Sequence, residues 1–403
     1  MRRRIGKPAS PSIGAKRVEW RGRPAIRLSN GVVELTALSG GGHITGFCFA
    51  GDAAKPRTNV LWECPWEGAA PGTAKARRLA ATYGPKGVGE FLASYTGHAL
   101  CLDYFGMPSG EEARQGLPLH GEAGCANWRV MKGATRSAAA RAEWRVDLPA
   151  AGLAFERAVE LHKGESVAVF RESVTNQHEA DHYFHWVQHV TLGPPFLDPE
   201  CSRVFLSGTR AKTWPLGYEK KSLVSADREF RWPRAPREKG GVADLSIPFR
   251  ERGTGFVASV LLDAERDTQF VATLNWQLGL AAGYVFHGKD FPWVAVWEEN
   301  CAREYAPWMG KTLARGLEFG TTPMPIGKEA TFLAGKLFDT PGWNRIAARG
   351  TETVAYAVFL AEVPKSWRSI RDIRAAKNSL VIRGSGAPDT VTIAADGISG
   401  LQG

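Results

Sequence analysis

The chain has 403 residues, 44% of them hydrophobic and 23% charged, with a net charge of +10. That is ordinary globular composition, long enough to bury a large core, and it excludes a fibrous or fully disordered chain. Part of the positive charge sits at Arg2, Arg3, Arg4, Lys7, Lys16 and Arg17, and the remaining Lys and Arg are interspersed with Asp and Glu. Without a basic stripe, nucleic-acid binding is not expected. The cysteines Cys48, Cys64, Cys101, Cys125, Cys201 and Cys301 form no CxxC pair and are too widely spaced for a disulfide scaffold, so they read as free, mostly buried thiols. The basic start is followed by Ile5-Gly6-Lys7-Pro8 rather than an apolar segment, which argues against a signal peptide. No apolar run reaches the roughly 18 residues needed to span a bilayer. A soluble, cytoplasmic protein with no membrane partner is expected.

Residues 1–17 are rich in Arg, Pro, Ser and Gly and are expected to form a disordered tail. From Val18 the chain reads as strand after strand. Gly40-Gly41-Gly42-His43 lacks the helix or Lys-Ser/Thr of a phosphate motif and reads as a tight turn. Residues 63–91 and 107–119 read as long loops that carry function. Trp144, Val146 and Leu148 alternate with polar residues. The turn Pro149-Ala150-Ala151-Gly152 follows, and then Leu153, Phe155, Val159 and Leu161 resume the period of two. Further strands are expected at 167–174, 256–262, 268–274 and 354–360. One helix is predicted at 366–377, where Ser366 can cap and Trp367, Ile370 and Ile373 share a face. A short strand at 379–383 follows. The pattern implies a basic tail (1–17), one large antiparallel β domain (18–365) and a C-terminal helix-and-strand extension (366–403) packed on it.

Candidate chemistry is concentrated in histidines and carboxylates. His178, His182, His185 and His189 have the spacing of one helix face, as a metal site would. However, the aromatic and β-branched residues between them dictate a strand, on which His182 faces away from His185 and His189. No metal and no cofactor are therefore expected. His189 precedes Leu192-Gly193-Pro194-Pro195, where a strand meets a turn. It is either a satisfied core histidine or a group at a cleft mouth. His120 lies beside Gly121, which permits a positive φ. Glu318 alternates with Leu317 and Phe319 and needs either a job or a partner, such as Arg315. Glu298 and Glu299 are adjacent, so on a strand they face opposite ways and cannot form a glycosidase dyad. One of them can still bind a sugar hydroxyl.

The order of these segments resembles the galactose mutarotase-like (aldose 1-epimerase) superfamily. Asn30-Gly31-Val32-Val33-Glu34-Leu35 and Ile44-Thr45-Gly46-Phe47 resemble its opening hairpin. Leu119-His120-Gly121 resembles its Leu-His-Gly motif. Val174-Thr175-Asn176 with Gln188-His189 resembles its Asn…His segment. Leu317-Glu318 before Thr321-Thr322-Pro323 resembles its late Glu, preceded by the aromatic strand of Phe291-Pro292-Trp293 and Trp297. The resemblance spans roughly residues 25–360. It implies an all-β supersandwich, mostly antiparallel sheets with few short helices, acting on a small-molecule carbohydrate. It further implies that Glu318, ionised near neutral pH, takes the anomeric proton, that His189 protonates the ring oxygen and that His120 holds the sugar. Gln188, Trp297 and Glu298 become candidate sugar contacts. The family's Arg, in a Gly-Arg-x-x-Asn-Arg segment before Leu-His-Gly, has no counterpart in Thr96-Gly97-His98-Ala99-Leu100-Cys101-Leu102-Asp103. His98 or Asp103 is expected to substitute for it. Two functions follow: an aldose 1-epimerase-like enzyme, or a non-catalytic carbohydrate-binding protein of the same fold. Oligomeric state is not encoded in these patterns.

Overall fold

The computed structural model describes residues 13–51, 57–136, 138–219 and 221–401. Mostly antiparallel strands build two large sheets packed face to face. In the first, the order through the centre is Ile44–Phe49, His98–Asp103, His182–Leu192, Leu313–Gly320, Trp293–Asn300 and Thr254–Leu262. The second runs from Ser202–Leu206 through Thr268–Asn275, Leu280–His287, Thr351–Glu362, Val167–Asn176, Leu153–His162 and Ala139–Leu148 to Arg129–Arg136. Their facing sides interdigitate in one core. Leu100, Trp186, Val190, Leu317 and Phe319 come from the first sheet, and Phe155, Val159, Phe170, Phe286 and Tyr356 from the second. The turn at 149–152 joins Ala139–Leu148 to Leu153–His162, with Leu148 opposite Leu153. Period-two patterning thus produces the sandwich directly.

Three expectations are corrected. The predicted helix at 366–377 is instead the strand Ile370–Ala376, paired with Ser379–Gly384, which pairs with Thr390–Ala394. A bulge between Ile370 and Asp372 breaks the alternation. It returns Ile370 and Ile373 to the same buried side, and a spacing of three then imitates a helix face. With Trp367, these residues pack on the outside of the second sheet against Val169, Phe270, Val285 and Phe359. The expected disordered tail 1–17 also overlaps an ordered strand. Gly14–Trp20 is a strand paired with Arg23–Ser29, so Lys16 and Arg17 lie in a sheet, while residues 1–12 lie outside the described residues. Finally, the loop expected at 63–91 contains helix α1 (Ala74–Tyr83) and the start of helix α2 (Val88–Ser94). Thr73 caps α1 by accepting from the Ala76 N–H. A Cβ on Gly89 would lie 2.0 Å from the Ala80 carbonyl oxygen, so glycine is what lets the two helices pack this closely. The shorter loop at 107–119 likewise contains a helical turn, Gly110–Arg114.

Candidate active site

The site is built on the outer face of the first sheet. In His182–Leu192, Trp186, Val190 and Leu192 enter the core, so by alternation Val187, His189 and Thr191 point the other way. His189 stands directly opposite Glu318 on one neighbouring strand and Ala99 on the other. Glu318 in turn stands opposite Ala295. The small side chains leave room for the polar pair. Gly316 adds to this, since a Cβ there would lie 2.2 Å from Glu318 Oε1 and 3.1 Å from the Trp297 ring. The carboxyl thus occupies the space left by a missing side chain.

His189 Nε2 lies 3.2 Å from Glu318 Oε1. Its other nitrogen, Nδ1, is 3.3 Å from both the Tyr95 hydroxyl and Thr191 Oγ1. His120 reaches the pair from a turn. Its own φ is 65° and that of Gly121 is 83°, and a Cβ on Gly121 would collide with the Leu102 carbonyl at 2.0 Å. The Gly106 N–H donates to His120 Nδ1 at 3.0 Å. Nδ1 therefore accepts, and in the neutral ring the proton sits on Nε2 as a donor. Phe91 and Phe105 flank the imidazole, and its ring centroid is 5.2 Å from that of His189.

A cavity of about 670 Å³ opens over these three residues. Trp297 and Val257 from the sheet, Phe91 and Tyr95 from α2 and its C-terminal cap, and Arg303, Tyr305 and Trp308 from the segment after Trp293–Asn300 line it. Glu299 accepts the Ala302 and Arg303 N–H groups at 2.6 and 3.0 Å, which fixes the start of that segment. The Arg303 guanidinium lies over Trp308, Tyr218 and Trp297, at 4.8, 5.2 and 5.7 Å from the ring centroids. Its charge is offset by Glu219 Oε1 at 3.0 Å and Glu299 Oε2 at 3.6 Å.

Burial sets the protonation of the polar groups. It pushes the His189 imidazole down to about 3. It pushes His120 well below the usual histidine value, with His189 and Arg303 adding to the shift. It pushes the Glu318 carboxyl well above the carboxylate range. The 3.2 Å contact has the length of an ion pair, but both partners are desolvated and no further charge is drawn to Glu318. The neutral form, carboxylic acid beside imidazole, is favoured. Burial thus acts against the ionised resting state expected of Glu318. One proton transfer across the contact still converts the neutral pair to the ion pair, so the two titrate as a unit.

The other expected contacts divide sharply. Trp297 lines the cavity. Gln188, His98, Glu298 and Asp103 do not, and the sugar-contact role expected of them is withdrawn. Gln188 faces the core, where it donates to Glu172 at 2.6 Å and pairs with His98 Nε2 at 2.9 Å. Arg157 and Tyr356 complete that network through Glu172. Glu298 is buried against Arg315, whose Nε donates to it at 3.0 Å. Arg315 is therefore the partner of Glu298, not of Glu318. Asp103 accepts from Lys328 Nζ at 2.7 Å, with His182 Nε2 also at 2.7 Å. Of the remaining histidines, His185 accepts from the Phe105 N–H and His178 stacks on His182. Among the described residues, no group of three or more His, Cys, Asp or Glu side chains is placed to hold a metal ion. Tyr95, Phe105, Tyr218, Arg303 and Trp308 escaped the sequence reading. Arg303 supplies a guanidinium to the cavity from the far side of Trp297 rather than from the stretch before Leu119-His120-Gly121.

The structure is similar to several solved ones. A Klebsiella pneumoniae protein proposed to be an aldose 1-epimerase aligns with TM-score 0.58 and 14% identity, over 86% of this chain and 81% of that one. A Clostridium acetobutylicum galactose mutarotase-like protein aligns with TM-score 0.56 and 13% identity, over 87% and 98%. A Salmonella typhimurium protein proposed to be a mutarotase aligns with TM-score 0.54 and 14% identity, over 87% and 94%. No protein-family model matches the sequence, and no curated protein matches it. The chain has the galactose mutarotase-like sandwich fold.

Proposed function

We propose that the protein is an aldose 1-epimerase-like enzyme that interconverts sugar anomers by acid–base ring opening. The observation carrying this reading is the His189–Glu318 pair, held at 3.2 Å on the floor of the cavity. Ring opening requires one group to remove the anomeric hydroxyl proton and another to protonate the ring oxygen as its bond to the anomeric carbon breaks. The aldehyde rotates about its bond to the next carbon. Closure on the other face then returns both protons. A carboxyl and an imidazole sharing one proton supply one acid and one base in either protonation form. In the ion-pair form Glu318 is the base and His189 the acid; in the neutral form the roles exchange. His120, with its donor nitrogen fixed by Gly106, orients the sugar through a hydroxyl or the ring oxygen. The chemistry calls on no metal or cofactor.

Tyr95 and Thr191 keep His189 in place through its other nitrogen, which limits the loss of orientation that costs rate in a loose site. The test is anomer exchange. Anomerically pure aldoses, followed by polarimetry, should equilibrate faster with the protein than without it. Sugar binding with no acceleration would assign the protein to carbohydrate binding alone.

A further inference from the structure

The cavity is far more apolar than a hydroxyl-covered hexose requires. Among its described lining residues there is no Asp, Asn, Gln, Ser or Lys. The polar side chains that are present are largely committed already. The Tyr218 hydroxyl accepts from Trp297 Nε1 at 3.0 Å and donates to Glu299 at 2.6 Å. The Tyr305 hydroxyl donates to Glu219 at 2.9 Å, and that of Tyr95 is engaged with His189 and Thr191. Arg303 Nε faces two carboxylates and its guanidinium is stacked on three rings, so its charge is offset. Each sugar hydroxyl brought in beyond reach of His120, His189, Glu318 and Arg303 would exchange water for a wall of rings, and an unpaired buried hydroxyl is costly.

Size points the same way. A volume of about 670 Å³ sits mid-range for drug-sized ligands, whose pockets span about 300–1,000 Å³. The rings continue outward from the proton-transfer groups: Trp297 lies 6.0 Å from His189, and Trp308 lies 6.0 Å from Trp297. Two lining residues keep about half their surface exposed, Met107 at 51% and Tyr305 at 54%. They extend the apolar path to the surface.

We infer that the natural ligand is a neutral reducing sugar bearing an apolar aryl or alkyl substituent remote from the anomeric carbon. This rests on the epimerase reading only for the free anomeric hydroxyl. The sugar ring sits over His120, His189 and Glu318, and the substituent lies along Trp297, Trp308 and Val257.

The experiment compares a benzoate ester at the primary hydroxyl of glucose or galactose with its parent sugar. Anomer exchange is followed by NMR saturation transfer, and binding by tryptophan fluorescence. The ester should show kcat/KM at least about 10-fold above the parent, the scale at which a filled apolar pocket discriminates. Trp308→Ala, which removes a ring from the path assigned to the substituent, should narrow that ratio. Rapid exchange of the parent with no gain for the ester would overturn the inference and leave the epimerase reading standing. Tighter binding of the ester with no exchange of either sugar would uphold the ligand class and overturn the epimerase reading. Failure of both sugars to bind would overturn the inference.

Discussion

His189 and Glu318 are directly opposed residues on neighbouring antiparallel strands, and their side chains meet at 3.2 Å on the face turned away from the core. The register of one strand pair therefore creates the proposed acid–base unit. A one-residue slip of either strand would send that strand's group into the sandwich interior and break the pair.

Gly316→Ala tests the space this unit needs. The added methyl would fall 2.2 Å from Glu318 Oε1, so the carboxyl must swing away from His189. Exchange should fall by about 10-fold or more. The circular dichroism spectrum should stay unchanged, at a stability cost of about 1–3 kcal/mol for overpacking. Full activity in this variant would mean that the carboxyl position is not critical.

Glu318 should carry a proton at neutral pH, because burial raises its carboxyl well above the ordinary range. Infrared difference spectra of the wild type and Glu318→Gln at pH 7 should contain a protonated-carboxyl C=O band that the variant lacks. A carboxylate band in its place would show that the pair rests as ions.

The fold was legible wherever alternation was regular, as in Leu153–His162. It was not legible where a bulge reset the phase at Ile370 and Asp372, or where the Ala-rich helix α1 was hidden in an expected loop. In the site, His189 and Glu318 stood out as polar residues among strand residues. Gln188 stood out for the same reason and lies on the other face. His182–Leu192 is buried on both sides, so alternation separates two sets of side chains without saying which set faces a cavity. Likewise, Arg315 was read as a partner of its neighbour in sequence, Glu318, whereas cross-strand register pairs it with Glu298. Arg303 and Tyr95 lie outside the strands, where period-two patterning gives no signal.

Glu298→Ala separates stability from ligand contact. Arg315 is fully buried and would lose its carboxylate. Removing one partner of a buried pair typically costs about 3–5 kcal/mol. Urea unfolding should show a loss of that order, with sugar affinity of the folded fraction preserved. A weakened affinity at unchanged stability would return Glu298 to the binding site.

Acid should destabilise the fold well before the carboxylates protonate. Burial holds His98, His185 and His189 down to about 3, and His43 and His120 well below the ordinary 6.5. Such groups stay neutral in the folded chain but protonate in the unfolded one below about pH 6.5. Their stabilising contribution is full above that pH and is lost as pH falls toward their folded values, by up to about 1.4 kcal/mol per pH unit for each group. Glu318, raised well above the carboxylate range by burial, acts in the opposite sense, as do Glu122, Glu165, Asp290 and Glu298, whose carboxyls burial also raises and whose effect falls nearer the ordinary carboxylate range. Thermal midpoints should therefore fall between pH 7 and pH 5. A flat or rising profile would mean that these histidines are not held neutral.

The most direct measurement is the rate of anomer exchange for the wild type, Glu318→Gln and His189→Asn, with sugar affinity measured alongside. The account predicts acceleration by the wild type and a loss of about 10²-fold or more in each variant, the usual scale for a proton-transfer group, with affinity largely retained. Variants that lose affinity but exchange at wild-type rates under saturation would contradict it, as would a wild-type protein that binds sugar and leaves anomer exchange at its uncatalysed rate.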